Sequence, residues 1–251
     1  MMNKVKTDAE IAAMRTGGKM LATVLETLRQ QIKAGMTTKE LADIARSKIA
    51  ELGGEPTILG YQGFPDVICI SVNDEVVHGI PSDKRVLANG DVVGLDFCVT
   101  YQGMITDAAI TVIVGNGGDE KIKQLLRDTQ EALLTGIERL HDGVRVGDIG
   151  SAIEAQLDKK GYGIVRDLVG HGVGHNMHED PNIPNYGRPG SGPALQAGMT
   201  IAIEPMVTLG TDDVVIADDG WTIQTRDGSI SAHFEHTVLV TKDGYEILTK
   251  L

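Results

Sequence analysis

Four landmarks of this chain recur at one constant offset in numbering: Gly35 with Gly143, Gly53 with Gly161, Gly90 with Gly198, and the acid Asp96 with the acid Glu204. Chance supplies one such match but hardly four, and a constant offset is the mark of an internal duplication. The segment Gly198-Met-Thr-Ile-Ala-Ile-Glu204 copies Gly90-Asp-Val-Val-Gly-Leu-Asp96, carboxylate included. Each copy reads as helix, helix, strand and hairpin. Thr7-Asp8 with Glu10 caps a first helix running to about 32, and Thr37 or Thr38 opens a second over 39–52. A third is expected over 120–140 and a fourth over 148–160, each closed by glycine. The expected fold is α+β, a single domain over residues 1–251 whose halves divide near residue 115.

The stretch 90–107 carries the chemistry. Two β-branched segments meet around Tyr101-Gln102-Gly103, and side-chain alternation puts Asp96 on one face with Val92 and Cys98. A turn at Tyr101-Gln102 sets Asp107 directly opposite Asp96; a turn at Gln102-Gly103 sets it diagonal on the same face. Either arrangement puts two carboxylates side by side in an apolar sheet, which is costly unless a cation lies between them. The second hairpin repeats the pattern, with Glu204 on its first strand and Glu235 on its longer return. Four carboxylates balance two divalent cations.

A nitrogen ligand is available in Gly170-His171-Gly-Val-Gly-His175-Asn-Met-His178-Glu-Asp-Pro, where the glycines let backbone approach a site closely. The spacing is not that of a helical His-Glu-x-x-His zinc motif. Oxygen-rich sites with one imidazole suit Mn²⁺, Fe²⁺, Co²⁺ or Zn²⁺. Two such ions close together polarise a carbonyl and lower the pKa of water, which equips a site to hydrolyse amides, esters or phosphoesters.

Charge and composition exclude other classes. A formal net charge of −12 with no long basic run argues against a nucleic-acid grip, although Lys121, Lys123 and Arg127 can share a helix face. Only Cys69 and Cys98 are present, in apolar surroundings, and read as buried free thiols of a cytoplasmic protein. No apolar run is long enough to span a membrane, and the start Met-Met-Asn-Lys-Val-Lys has no signal-peptide h-region.

Several motifs together give the chain a family likeness: Cys69-Ile-Ser-Val-Asn73, Val77-His78-Gly-Ile-Pro81, Gly170-His171-Gly-Val-Gly174, His178-Glu-Asp-Pro181, Ala202-Ile-Glu204-Pro-Met206 and Phe234-Glu235-His236-Thr237. The chain resembles the type I methionine aminopeptidases, in their short bacterial-like form, over nearly its whole length. The resemblance implies the pita-bread fold, two pseudo-symmetric halves around a central antiparallel sheet. It implies a dinuclear site with Asp96, Asp107, His171, Glu204 and Glu235 as ligands, Asp107 and Glu235 bridging, and Co, Mn, Fe or Zn as the metal. Glu204 matches the general base, His78 a residue at the scissile amide, and His178 one at its carbonyl. Tyr61, Phe64, Cys69, Met177 and Trp221 match the methionine pocket, and the backbone near Asn73, Glu75 and Ser231 a monovalent-cation site. The substrate implied is the N-terminus of a nascent chain with a small second residue. That origin makes transient ribosome contact an expectation, and the short form is expected to be a cytoplasmic monomer.

Three positions depart from the family pattern: Gln62 for a common histidine, Met177 for a frequent phenylalanine and His233 for a frequent glutamine. Two competing readings share the fold. Xaa-Pro aminopeptidases and prolidases usually carry an additional N-terminal domain, whereas a non-catalytic peptide-binding relative should have lost ligands. Type II methionine aminopeptidases would need an insertion between His178 and Glu204, and the segment joining those two positions is too short to hold one.

Overall fold

The computed structural model describes residues 4–251; Met1–Asn3, the start of the stretch read as lacking a signal h-region, lies outside the described residues. Helix α1 is Asp8–Gln31, started by a capping box between Thr7 and Glu10. Helix α2 is Thr38–Leu52, with the same box between Thr37 and Glu40 and a left-handed Gly53 at its end. Helix α3, Glu120–Ile137, ends a turn earlier than the pattern predicts. Helix α4, Val146–Leu157, begins ahead of its expected start, because the Asp148 carboxylate accepts the Arg145 N–H from inside the first turn. Its expected last turn, Asp158–Lys160, is a 3₁₀ helix.

Two antiparallel sheets follow the duplication. In the first, the strand Val92–Tyr101 pairs with Met104–Ile113 on one side and Cys69–Val72 on the other. In the second, Thr200–Ile203 pairs with His236–Val240 and with Gly170–Gly172. The halves match in small details: the bridges Thr37–Val86 and Arg145–Ala194 are related by the offset of the repeat at both ends. Gly35 donates to Leu87 O and Gly143 to Leu195 O, both at 2.8 Å. The paired glycines also share backbone conformation, with φ of 91° and 83° at Gly35 and Gly143 and of 96° and 90° at Gly90 and Gly198.

Alternation along Val92–Tyr101 decides what each face buries. Val93, Leu95, Phe97 and Val99 join Leu21, Leu28, Leu41 and Ile49 of α1 and α2 in one apolar core. Ile201, Ile203, Val238 and Val240 do the same with Leu125, Leu133, Ile149 and Ile153 of α3 and α4. The opposite faces, bearing Asp96, Asp107 and their counterparts, turn toward each other. Both cysteines are buried free thiols. The basic group on α3 is partly neutralised, since Arg127 bonds Glu120 and Gln124. No helix among the described residues is long and apolar enough to cross a membrane.

Candidate metal centre

The first hairpin turns at Gln102-Gly103, both at positive φ (50° and 77°), the two-residue turn that matches strand twist. Cys98 therefore pairs with Asp107 and Asp96 with Ala109, so the two aspartates are diagonal neighbours on one face. The second hairpin locks onto the first along Met104–Ile113. Ala109 and Glu235 exchange backbone hydrogen bonds, Glu235 N–H to Ala109 O at 2.9 Å and the reverse at 3.4 Å. On either side a threonine continues the pairing. Thr237 Oγ1 accepts from Asp107 N–H (2.8 Å) and donates to Asp107 O (2.7 Å). Thr111 Oγ1 does likewise with His233. This seam sets Glu235 beside Asp107, although the two belong to opposite halves of the chain. His171 arrives on the neighbouring strand, where it pairs with Ala202, two positions before Glu204.

One cavity is lined by Asp96, Asp107, His171, Glu204 and Glu235, with His78, His178, Tyr61, Met177 and Trp221 on its walls. Asp107, His171 and Glu235 bring donor atoms within 4.8 Å of one another, as do Asp96, Cys98 and Asp107. Asp107 belongs to both groups, which suits a ligand shared by two ions. His171 Nε2 lies 3.5 Å from Glu204 Oε1. Its Nδ1 is hydrogen-bonded to Gly172 O at 2.9 Å, leaving Nε2 free to ligate.

Electrostatics show what this geometry lacks. Burial, then the Asp107 charge, pushes the Asp96 and Glu204 carboxyls well up. Burial and the charges of Asp107, Glu204 and Asp96 do the same to Glu235. Asp107 itself is raised to about 6, chiefly by burial. Burial and the nearby His178 depress His171 to about 4, so its imidazole is neutral. Among the described residues, Glu235 Oε1 is a buried oxygen with no hydrogen-bond partner. Two buried carboxylates, Asp107 and Glu235, two half-buried ones, Asp96 and Glu204, a neutral imidazole and an orphaned carboxylate oxygen fit divalent cations.

The remaining residues named from the sequence divide into two layers. Tyr61 OH is hydrogen-bonded to His178 Nδ1 at 3.1 Å, and the His171 and His178 rings lie 4.4 Å apart. Phe64 and Cys69 are fully buried behind the cavity wall, Phe64 packing edge-on against Trp221. Ser231 donates from its backbone to Asn73 O at 3.0 Å and from its hydroxyl to Glu75 O at 3.1 Å, bringing those three positions together. Ile58 and Cys98 line the cavity without having been named for it. For Cys98 the signal was present, since it shares the Asp96 face; its Sγ donates to Asp107 Oδ1 at 2.9 Å. Ile58 lies in a loop and left no periodic trace. Of the departures, exposed Gln62 sits at the mouth. His233 Nε2 lies 3.8 Å from Glu204 Oε2, and burial, then His78, depresses its pKa to about 3. It adds no charge to the site.

Residues 12–242 match metallopeptidase family M24. The methionine aminopeptidase of Clostridium perfringens is 46% identical over 98% of both chains, and methionine aminopeptidase 1 of Bacillus subtilis 44% identical over the same shares. The crystal structure of the Thermotoga maritima methionine aminopeptidase superposes with a TM-score of 0.97, at 46% identity over 100% of both chains. The Pyrococcus furiosus prolidase, 24% identical, shares the fold at a TM-score of 0.78, but only 65% of that chain is covered. The chain belongs to metallopeptidase family M24. Within that family its full-length likeness is to the methionine aminopeptidases, and its fold is theirs, the pita-bread α+β fold.

Proposed function

We propose that this metallopeptidase removes the initiator methionine from nascent proteins whose second residue is small. The observation that carries the reading is the cavity itself: a four-carboxylate, one-imidazole centre beside a soft apolar wall of Met177 and Trp221. In this reading Asp96 would hold one divalent ion, His171 and Glu204 the other, with Asp107 and Glu235 shared. Bound there, Mn²⁺, Fe²⁺, Co²⁺ or Zn²⁺ would supply a Lewis acid for the scissile carbonyl and lower the pKa of water.

The chain's own residues do the rest. Glu204 takes the proton of the attacking water and delivers it to the leaving amine. Burial depresses both His78 and His178, so both are neutral donors at pH 7. Tyr61 OH is hydrogen-bonded to His178 Nδ1; in this reading the hydroxyl is the donor, so that the ring proton is on Nε2 and faces the developing oxyanion. His78 addresses the scissile amide. Met177, Trp221 and Tyr61 enclose the methionine side chain, with Phe64 and Cys69 supporting them from behind.

We read residues 1–251 as one catalytic domain. It acts in the cytoplasm as a monomer on emerging chains, with transient ribosome contact, and a monovalent cation sits near Asn73, Glu75 and Ser231. The family likeness supports these assignments. The deciding experiment offers Met-Ala-Ser, Leu-Ala-Ser and Ala-Pro-Ala together to metal-reconstituted protein, with and without chelator. Chelator-sensitive release of methionine alone is expected. Release of alanine from Ala-Pro-Ala moves the protein to the proline-specific branch, and no release with any of the four metals makes it a binding protein.

A further inference from the structure

Ahead of α1 the chain runs along the surface, and of residues 4–7 only Lys6 is buried, beside the loop that carries Met177 and His178. Lys6 is buried there, its Nζ 3.0 Å from Glu179 Oε2, with the two side chains 0% and 1% exposed. A buried ion pair needs its remaining atoms satisfied, and the other carboxylate oxygen shows how this one is used. Glu179 Oε1 accepts the N–H of His175 at 2.8 Å and that of Asn176 at 3.0 Å. Those bonds close the turn in which Gly174 N–H also donates to Asn176 O. Met177 and His178 follow directly.

The same strap is fastened at two further points. Lys6 N–H donates to Gly198 O at 2.8 Å, just before the strand that leads to Glu204. Glu10 in the first turn of α1 accepts from His175 Nε2 at 2.8 Å. The fit around the lysine stem leaves no slack, since a Cβ on Gly174 would collide with Lys6 Cε. The ion pair is not part of the duplication, since the position that the repeat offset makes equivalent to Lys6 is Val114, which keeps only the backbone tie, to Gly90.

We propose that Lys6 is a positioning residue for the reaction. By holding Glu179 it keeps the turn at 174–176 closed and His178 aimed at the substrate carbonyl. This inference rests on the assignment of His178 above. Without the ammonium, the buried Glu179 carboxylate keeps only the two N–H donors of the turn and no counter-charge, which drives it toward water and frees those N–H groups. Met177 is held separately, by packing in the cluster with Phe64, Cys69 and Ile105. The effect therefore falls on turnover more than on substrate affinity, because displacing a catalytic group by ~1 Å costs on the order of a hundredfold.

The test is steady-state kinetics on Met-Ala-Ser with the metal-saturated full chain. Lys6→Met should lower kcat at least tenfold while KM stays within threefold. Leu28→Ala, a core truncation in α1, serves as a stability control and should leave kcat near wild type. His178→Ala should lower kcat, and the double variant Lys6→Met/His178→Ala should be no slower than His178→Ala alone, because Lys6 acts through that imidazole. Effects that multiply in the double variant, or a Lys6→Met enzyme within twofold of wild type, overturn the proposal. So does a loss of kcat in Leu28→Ala equal to that in Lys6→Met, which reduces Lys6 to a stability role. A fully active His178→Ala removes the His178 assignment itself and this inference with it.

Discussion

Replacing Asp107 with Asn should have opposite effects on stability with and without metal. In the metal-free protein Asp107 titrates near 6 against an ordinary value of 3.8. At about 1.36 kcal/mol per pH unit, keeping it ionised at pH 8 costs the folded state roughly 3 kcal/mol. The neutral amide escapes that cost and relieves Asp96, Glu204 and Glu235, each of which Asp107 pushes up. A carboxyl raised on folding favours the folded state fully below its unfolded value and loses that contribution as pH rises through its folded value. The advantage of the variant is therefore largest above pH 6 and vanishes near pH 4. For a chain of this length, roughly 3 kcal/mol is a rise in Tm of roughly 6–12 °C. Calorimetry of chelator-treated wild type and variant at pH 8 and pH 4 measures it. With Mn²⁺ at a thousand times Kd the order should invert, because wild type gains about 4.1 kcal/mol, more than the variant's roughly 3 kcal/mol advantage, and the variant lacks the carboxylate proposed to be shared by both ions. Equal melting of the two metal-free proteins at pH 8 would refute the picture of uncompensated carboxylates facing one another.

Three further outcomes follow from the same structure. Glu204→Gln removes the base and ligand charge proposed above and should lower kcat on Met-Ala-Ser by roughly a hundredfold or more; near-native turnover excludes Glu204 as the base. Trp221→Ala opens the cavity wall next to Phe64 and His78 and should raise KM for Met-Ala-Ser roughly tenfold, read from initial rates with kcat less affected. Gly18→Ala drives a methyl into the carbonyl oxygen of Leu248. It should cost about 1–3 kcal/mol in denaturant titrations, and an unchanged midpoint would mean that the C-terminal segment yields freely.

Much of this protein is decided by interactions only a few residues long, and those are written openly in the sequence. The capping boxes at Thr7 and Thr37 start two helices as their side-chain chemistry requires. The constant offset between the paired glycines announces two copies of one unit, and strand alternation alone puts Asp96 and Asp107 on a common face. Even there the sequence left two turns open, and hairpin twist chose Gln102-Gly103. Helix α4 shows the local limit: Asp148 reads as a start, but its carboxylate serves the backbone of Arg145 from within the helix. The joining of the halves is different in kind. The seam of Asp107 with Thr237, Ala109 with Glu235 and Thr111 with His233 links segments far apart in the chain. So does the Lys6–Glu179 pair under the His178 loop. Such contacts depend on where two packed cores finally meet, and no periodicity within either segment encodes that distance. Whether Phe64 and Cys69 touch the cavity or stand behind its wall was likewise a matter of depth, which side-chain character does not specify and close packing does.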